Sequence, residues 1–200
     1  EQVYASISET EVDVSTEDLV ALLHVKGNAS VAAGVLLFSS VSATDGLIIS
    51  GGATLKNKSK SSAGGGAVPM KIEAPYLGKI SIYGGGKLTA HTSLTVTANQ
   101  VLVYGEATVV VDTLIISTDG DFCFSQATIN VTTAAINAVR GIFMCGPYAS
   151  NLCVSKCTTR CASSDPATCQ PTVLTFVGNL LLSAGNESVL IDGASVVEKT

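Results

Sequence analysis

The chain has 200 residues, 46% of them apolar and only 14% charged, with a net charge of −5. That length suits one domain with a sizeable core, and so apolar a chain is not disordered. Its 11 Lys and Arg are scattered with no basic stripe; nucleic acid is therefore not an expected partner, and no apolar run approaches the roughly 18 residues of a membrane span.

In chain order, Gln2–Thr16 alternates Val12 and Val14 with acidic neighbours, as an extended segment does. Ser15, followed three residues on by Asp18, is a capping-box arrangement that predicts a short helix reaching Val25. The same apolar run, Leu19–Val25, also fits a buried strand. Residues 1–26 are set apart as a tail with a capping helix, and 27–200 as the main domain. His24, inside the apolar run, reads as packed rather than reactive.

Beyond this point Val, Ile and Thr dominate, which favours strands, and one phrase recurs. "LIISGGATLKN" (Leu47–Asn57), "ISIYGGGKLTAH" (Ile80–His91) and "VLVYGEATVVVD" (Val101–Asp112) each read as an apolar alternation, a turn and a second apolar stretch. Counting from Ile80, equivalents fall 21 residues apart at Val101 and Phe122, with Ile82, Val103 and Phe124 two residues later. Leu94, Ile115 and Ile136 form a further column, while the third unit slips by one, to Ile129 and Val131, as at a bulge. Leu174–Ala184 and Val189–Lys199 repeat the phrase downstream. A 21-residue period holding three alternations predicts circuits of three strands, each strand pairing with its equivalent about 4.8 Å along. An antiparallel sandwich or meander is the competing arrangement. Insertions at 58–75 and 145–171 interrupt the repeat, and removing both leaves roughly six circuits.

This pattern resembles the right-handed parallel β-helix proteins, a group that includes adhesin-like surface passengers and many carbohydrate-active enzymes. The resemblance rests on periodicity and glycine placement over about two-thirds of the chain, and it implies an all-β parallel solenoid rather than any one activity.

Six cysteines, Cys123, Cys145, Cys153, Cys157, Cys161 and Cys169, lie in the second half. Zinc ligation would need paired thiolates around a tetrahedral ion. Four Asn-x-Ser/Thr sequons, at Asn28, Asn57, Asn130 and Asn186, instead point to an oxidising secretory compartment and to disulfides. Cys123 falls at an outward position, where an inserted lobe would pack, and Cys145 is its expected partner. Asn57, bordering the polar insertion, is expected to be exposed. Asn130, between inward-facing Ile129 and Val131, is expected to point outward.

Catalytic constellations are sparse. Asp119 and Asp121 in "STDGDF" are the densest acidic pair, but an Asp-Gly centre is an ordinary turn. His91 and Asp112 share a position on successive circuits and are expected to stack as a polar pair at a corner. "SAGGGAV" and "YGGGKL" lack the context of a phosphate loop, and no calcium loop appears. No cofactor or metal is implied. The composition and repeat suit a non-catalytic extracellular structural or surface glycoprotein, self-associating head-to-tail through its N-terminal tail, with glycans or other surface proteins as further partners. A carbohydrate-active or carbohydrate-binding protein on the same scaffold is the alternative, with the Tyr83–Tyr104 ladder as its aromatic candidate.

Overall fold

The computed structural model describes residues 4–7, 11–14, 22–38, 45–58, 66–157, 169–193 and 195–200. In chain order the strands are β1 (Tyr4–Ile7), β2 (Glu11–Val14), β3 (Leu22–Val25), β4 (Ser30–Ala33), β5 (Val35–Leu37), β6 (Asp45–Ile49) and β7 (Thr54–Asn57). There follow β8 (Met70–Ile82), β9 (Lys87–Tyr104), β10 (Thr108–Thr118), β11 (Phe122–Ser125), β12 (Thr128–Ala138) and β13 (Ile142–Cys145). A short helix, α1 (Asn151–Cys157), precedes β14 (Thr172–Phe176), β15 (Leu180–Ala184), β16 (Val189–Asp192) and β17 (Ser195–Lys199).

The pairings between these strands are parallel, which excludes an antiparallel sandwich or meander, and they form three series. The first runs through β1, β3, β6, the end of β8, the end of β9, β11, β13 and β16. The second runs through β2, β4, β7, the starts of β9, β10 and β12, then β14 and β17. The third joins β5, the start of β8, the middle of β9, the ends of β10 and β12, and β15. Each series thus joins strands distant in the chain, and this all-β parallel arrangement is compatible with a solenoid.

Alternation explains the faces. Successive strand residues point to opposite sides, so alternate residues from β3 through β14 enter a shared core. Leu23, Leu47, Ile80, Val101, Phe122 and Ile142 stand in one register column, and Val25, Ile49, Ile82, Val103, Phe124 and Met144 in the next. All twelve are buried. Between Ile80, Leu94, Val109 and their neighbours the remaining space is about 10 Å³, at the lower limit for one water, so the centre is filled with side chains.

Several sequence expectations need correcting. The circuit is 21 residues from Leu88 to Val109 but 20 from Leu94 to Leu114, because the β9–β10 register shifts between Val111 and Thr113. The third column is therefore Leu94, Leu114 and Ala134. Ile115 pairs with Thr95 and faces outward, and Ile136 belongs with Val96 and Ile116. Leu174–Ala184 spans the second and third series rather than the first and second. Met70–Ala74, assigned to the insertion, is strand, with Met70, Ile72 and Ala74 in the core.

At the N-terminus, Leu22–Val25 is a strand rather than the end of a capping helix, since Leu23 and Val25 continue the buried columns; Ser15–Ala21 lies outside the described residues. Tyr4–Ile7 and Glu11–Val14 pair with β3 and β4 of their own chain. The parallel ladders therefore begin inside the stretch set apart as a tail.

The turns explain the recurring Tyr-Gly. After the first-series ends of β8 and β9 the backbone enters the left-handed region, with φ of 56° at Gly84 and 58° at Gly105. Glycine adopts this conformation without steric cost. Gln126, at φ 50°, takes the equivalent place one circuit later, and its N–H donates to Thr172 Oγ1 at 2.7 Å.

Candidate functional site

Outward positions on this scaffold form columns that run across circuits, so candidate sites are groups of residues one register step apart. The strongest such group is the cysteine lobe. The chain leaves the ladder after Cys145 and re-enters at Thr172, whose hydroxyl donates to Cys145 O at 2.8 Å. The excursion therefore leaves and rejoins the ladder at one corner. Within it, Cys153 and Cys157 are four residues apart on α1 and so share a face. That face packs on the outer side of β11 and β13, in an apolar cluster of Cys123, Phe143, Cys145, Cys153 and Cys157.

Cys123 does lie on the outer side of its circuit beneath the lobe. The expected Cys123–Cys145 bond does not form: Cys145 is bonded to Cys153, because α1 brings Cys153 back over the strand from which the lobe departs. Cys169 is also disulfide-bonded; Cys161 lies outside the described residues. Cys123 and Cys157 are buried thiols. The Cys123 thiol donates to Lys156 O at 3.5 Å. Its hydrogen bond with the Cys157 side chain, followed by burial, pushes its pKa far above the ordinary thiol range.

Charged groups bind the lobe rim to the last circuit. Lys156 Nζ lies 2.8 Å from Glu187 Oε1 and 5.6 Å from the Phe143 ring centroid; the Glu187 hydrogen bond raises the ammonium pKa. Ser150 N–H donates to Asp192 Oδ2 at 2.8 Å, and the Ser150 bonds hold that carboxyl below the usual range.

A second feature is a groove of about 310 Å³ on the third face. Thr97, Ser117, Asn137 and Ser183 stand in one register column along it, with Asp119 and Asn186 at its edge. Tyr83 and Tyr104 form a third feature, stacked with centroids 5.1 Å apart and planes inclined by 12°.

The Asp121 carboxylate accepts the Gly141 N–H at 3.2 Å, which commits it to the next circuit, while Asp119 stays exposed. His91 and Asp112 do not share a register position: His91 and Thr92 together stand opposite Asp112 at the register shift. His24 is half-buried, with Nε2 2.9 Å from Ser50 Oγ.

Among the sequons, Asn28 and Asn186 are exposed, and Asn130 faces outward, accepting the Thr175 hydroxyl at 2.5 Å. Asn57 is not exposed. It points inward at 7% exposure, donates to Val68 O at 3.0 Å and accepts the His91 N–H at 3.3 Å. Its side chain occupies an inward position two residues after Leu55, and the amide satisfies backbone groups at the corner. Among the described residues no group of His, Cys, Asp or Glu is placed to hold a metal ion, and no helix is long and apolar enough to cross a membrane. No protein-family model, no curated protein and no solved structure matches this chain.

Proposed function

We propose that the chain is a right-handed parallel β-helix of the adhesin-like kind, serving as a non-catalytic structural module outside the cell. It acts by stacking end to end. The observation that carries this reading is the state of the last circuit. Val189 and Ile191 continue the two columns that are buried elsewhere, yet they are 37% and 46% exposed. Phe176, Leu180, Leu182 and Val197 are likewise only partly covered. These side chains continue the inward columns, and strands laid on β16 and β17 would cover them. The occupant is the first circuit of a second copy, β1 and β2 seating on β16 and β17, with parallel backbone pairing supplied at the open edges. Such a head-to-tail contact does not close on itself and extends as a filament. The Cys145–Cys153 bond and the sequons support an extracellular setting.

Electron microscopy and sedimentation across a concentration series test this. Rods that lengthen with concentration are expected, and Ile191→Lys with Val197→Lys should leave single copies. A wild-type protein that stays monomeric at every concentration, or rods indifferent to the substitutions, would reject the reading.

The third-face groove favours a second reading, glycan binding. Its hydroxyl and amide column suits sugar hydroxyls, and among the described residues it is lined by one carboxylate, Asp119, where glycosidic cleavage uses two placed about 5–9 Å apart. Chemical-shift changes at Thr97, Ser117 and Asn137 on adding oligosaccharides would support it, and unmoved resonances would dismiss it.

A further inference from the structure

The sulfur cluster beneath α1 holds more chemistry than its one closed bond. Cys153 and Cys157 occupy one face of a seven-residue helix, far too short to be stable alone. The Cys145–Cys153 bond fastens it to β13. The same helix face also covers β11, one circuit earlier, through Cys123. Cys157 Sγ lies 3.4 Å from Cys145 Sγ and its thiol points to Phe143 O at 3.7 Å, while Cys123 reaches the carbonyl of Lys156, the residue beside Cys157. The Cys123 thiol is itself hydrogen-bonded to the Cys157 side chain.

We propose that Cys123 and Cys157 are a cross-linking site, closing a second disulfide that ties α1 to β11 as Cys145–Cys153 ties it to β13. The helix is then stapled across two successive circuits. The oxidant is a small-molecule disulfide of the glutathione type, acting as the lobe docks and before the cluster is buried. The Cys157 thiolate attacks one sulfur of that disulfide and releases the first small thiolate. The Cys123 sulfur then displaces the second from Cys157, giving up its proton to the released thiolate. One protein disulfide forms, two protein thiols are oxidised, and one small disulfide is reduced to two thiols.

The full chain is refolded in a mixture of reduced and oxidised glutathione, denatured without reductant, alkylated and digested. The expected result is a single linked species joining the Cys123 and Cys157 peptides, alongside Cys145–Cys153, with no alkyl label on any of the four. In Cys123→Ser the label on Cys157 should rise from none to one per chain, with Cys145–Cys153 kept. Alkyl label on both Cys123 and Cys157 of the oxidised wild-type chain would overturn the proposal. So would either residue joined to Cys145 or Cys153. The wild-type map decides the matter even if the variant fails to fold.

Discussion

Single side chains at the corners and the lobe rim make sharp tests. Ser125 is buried at the end of β11, and among the described residues its hydroxyl has no hydrogen-bond partner. An unmatched buried hydroxyl opposes folding. Ser125→Ala should therefore raise stability, by up to about 1 kcal/mol in urea titration; a clear loss would mean the hydroxyl has a partner. Asp192 makes a pH test. Its folded pKa is depressed by Ser150, so its contribution is present above the unfolded carboxyl value of about 4 and is lost as pH falls through the lower folded value. Asp192→Asn should flatten the acid side of the stability profile by removing a small contribution at neutral pH, so that variant and wild type converge once pH falls below the folded value. Asn57 shows why residue-scale reading of sequence fails at corners. Polarity suggested surface, but alternation from Leu55 turns it inward, and backbone groups of Val68 and His91, distant in sequence, are what make that position tolerable.

At the level of elements, contact between circuits sets the tolerance to change. A Cβ on Gly86 would meet the backbone carbonyl of Ile49 in the circuit before. Neither strand can retreat, since Gly86 N–H donates to Tyr83 O at 3.0 Å and Gly86 O accepts the Thr108 N–H at 2.9 Å. Gly86→Ala should cost about 1–3 kcal/mol in thermal or chemical melts. Gly34, with nothing within 4 Å of an added Cβ, should accept alanine with a change under about 0.5 kcal/mol. Equal losses at the two positions would refute the packing argument. The Cys145–Cys153 bond closes a separation of 8 residues, which supports local order worth roughly 2–3 kcal/mol. Replacing both by alanine should speed amide exchange in α1 while β9 to β12 keep their protection. Exchange that rises equally throughout would show that the lobe props up the ladder.

Over the whole molecule, the parallel circuits were legible where spacing was strict. Ile80, Val101 and Phe122 are 21 apart, so counting alone aligned them and the two residues that follow each. Counting could not see the one-residue shortening at Asp112, and it therefore chose Ile115 over Leu114. Nor could it tell the faces apart for Leu174–Ala184, because all three faces share the same alternation. The tail escapes sequence reading for a similar reason: pairing of β2 with β4 depends on chain beyond the tail itself. The lobe pairing was out of reach, since it follows from a helix that returns Cys153 over Cys145, and spacing alone permits fifteen connectivities among six cysteines.

The corner at Cys145 and Thr172 has a consequence for how the chain survives cutting. Strands on either side of the excursion interleave: β16 lies on β13, and β14 and β15 lie on β12. A protease that severs the lobe after Cys145 and before Thr172 would divide the polypeptide without dividing the particle. The two pieces should migrate together on gel filtration under reducing, non-denaturing conditions, and part only in denaturant. The continuity of this molecule then resides in its ladders of hydrogen bonds as much as in its covalent backbone.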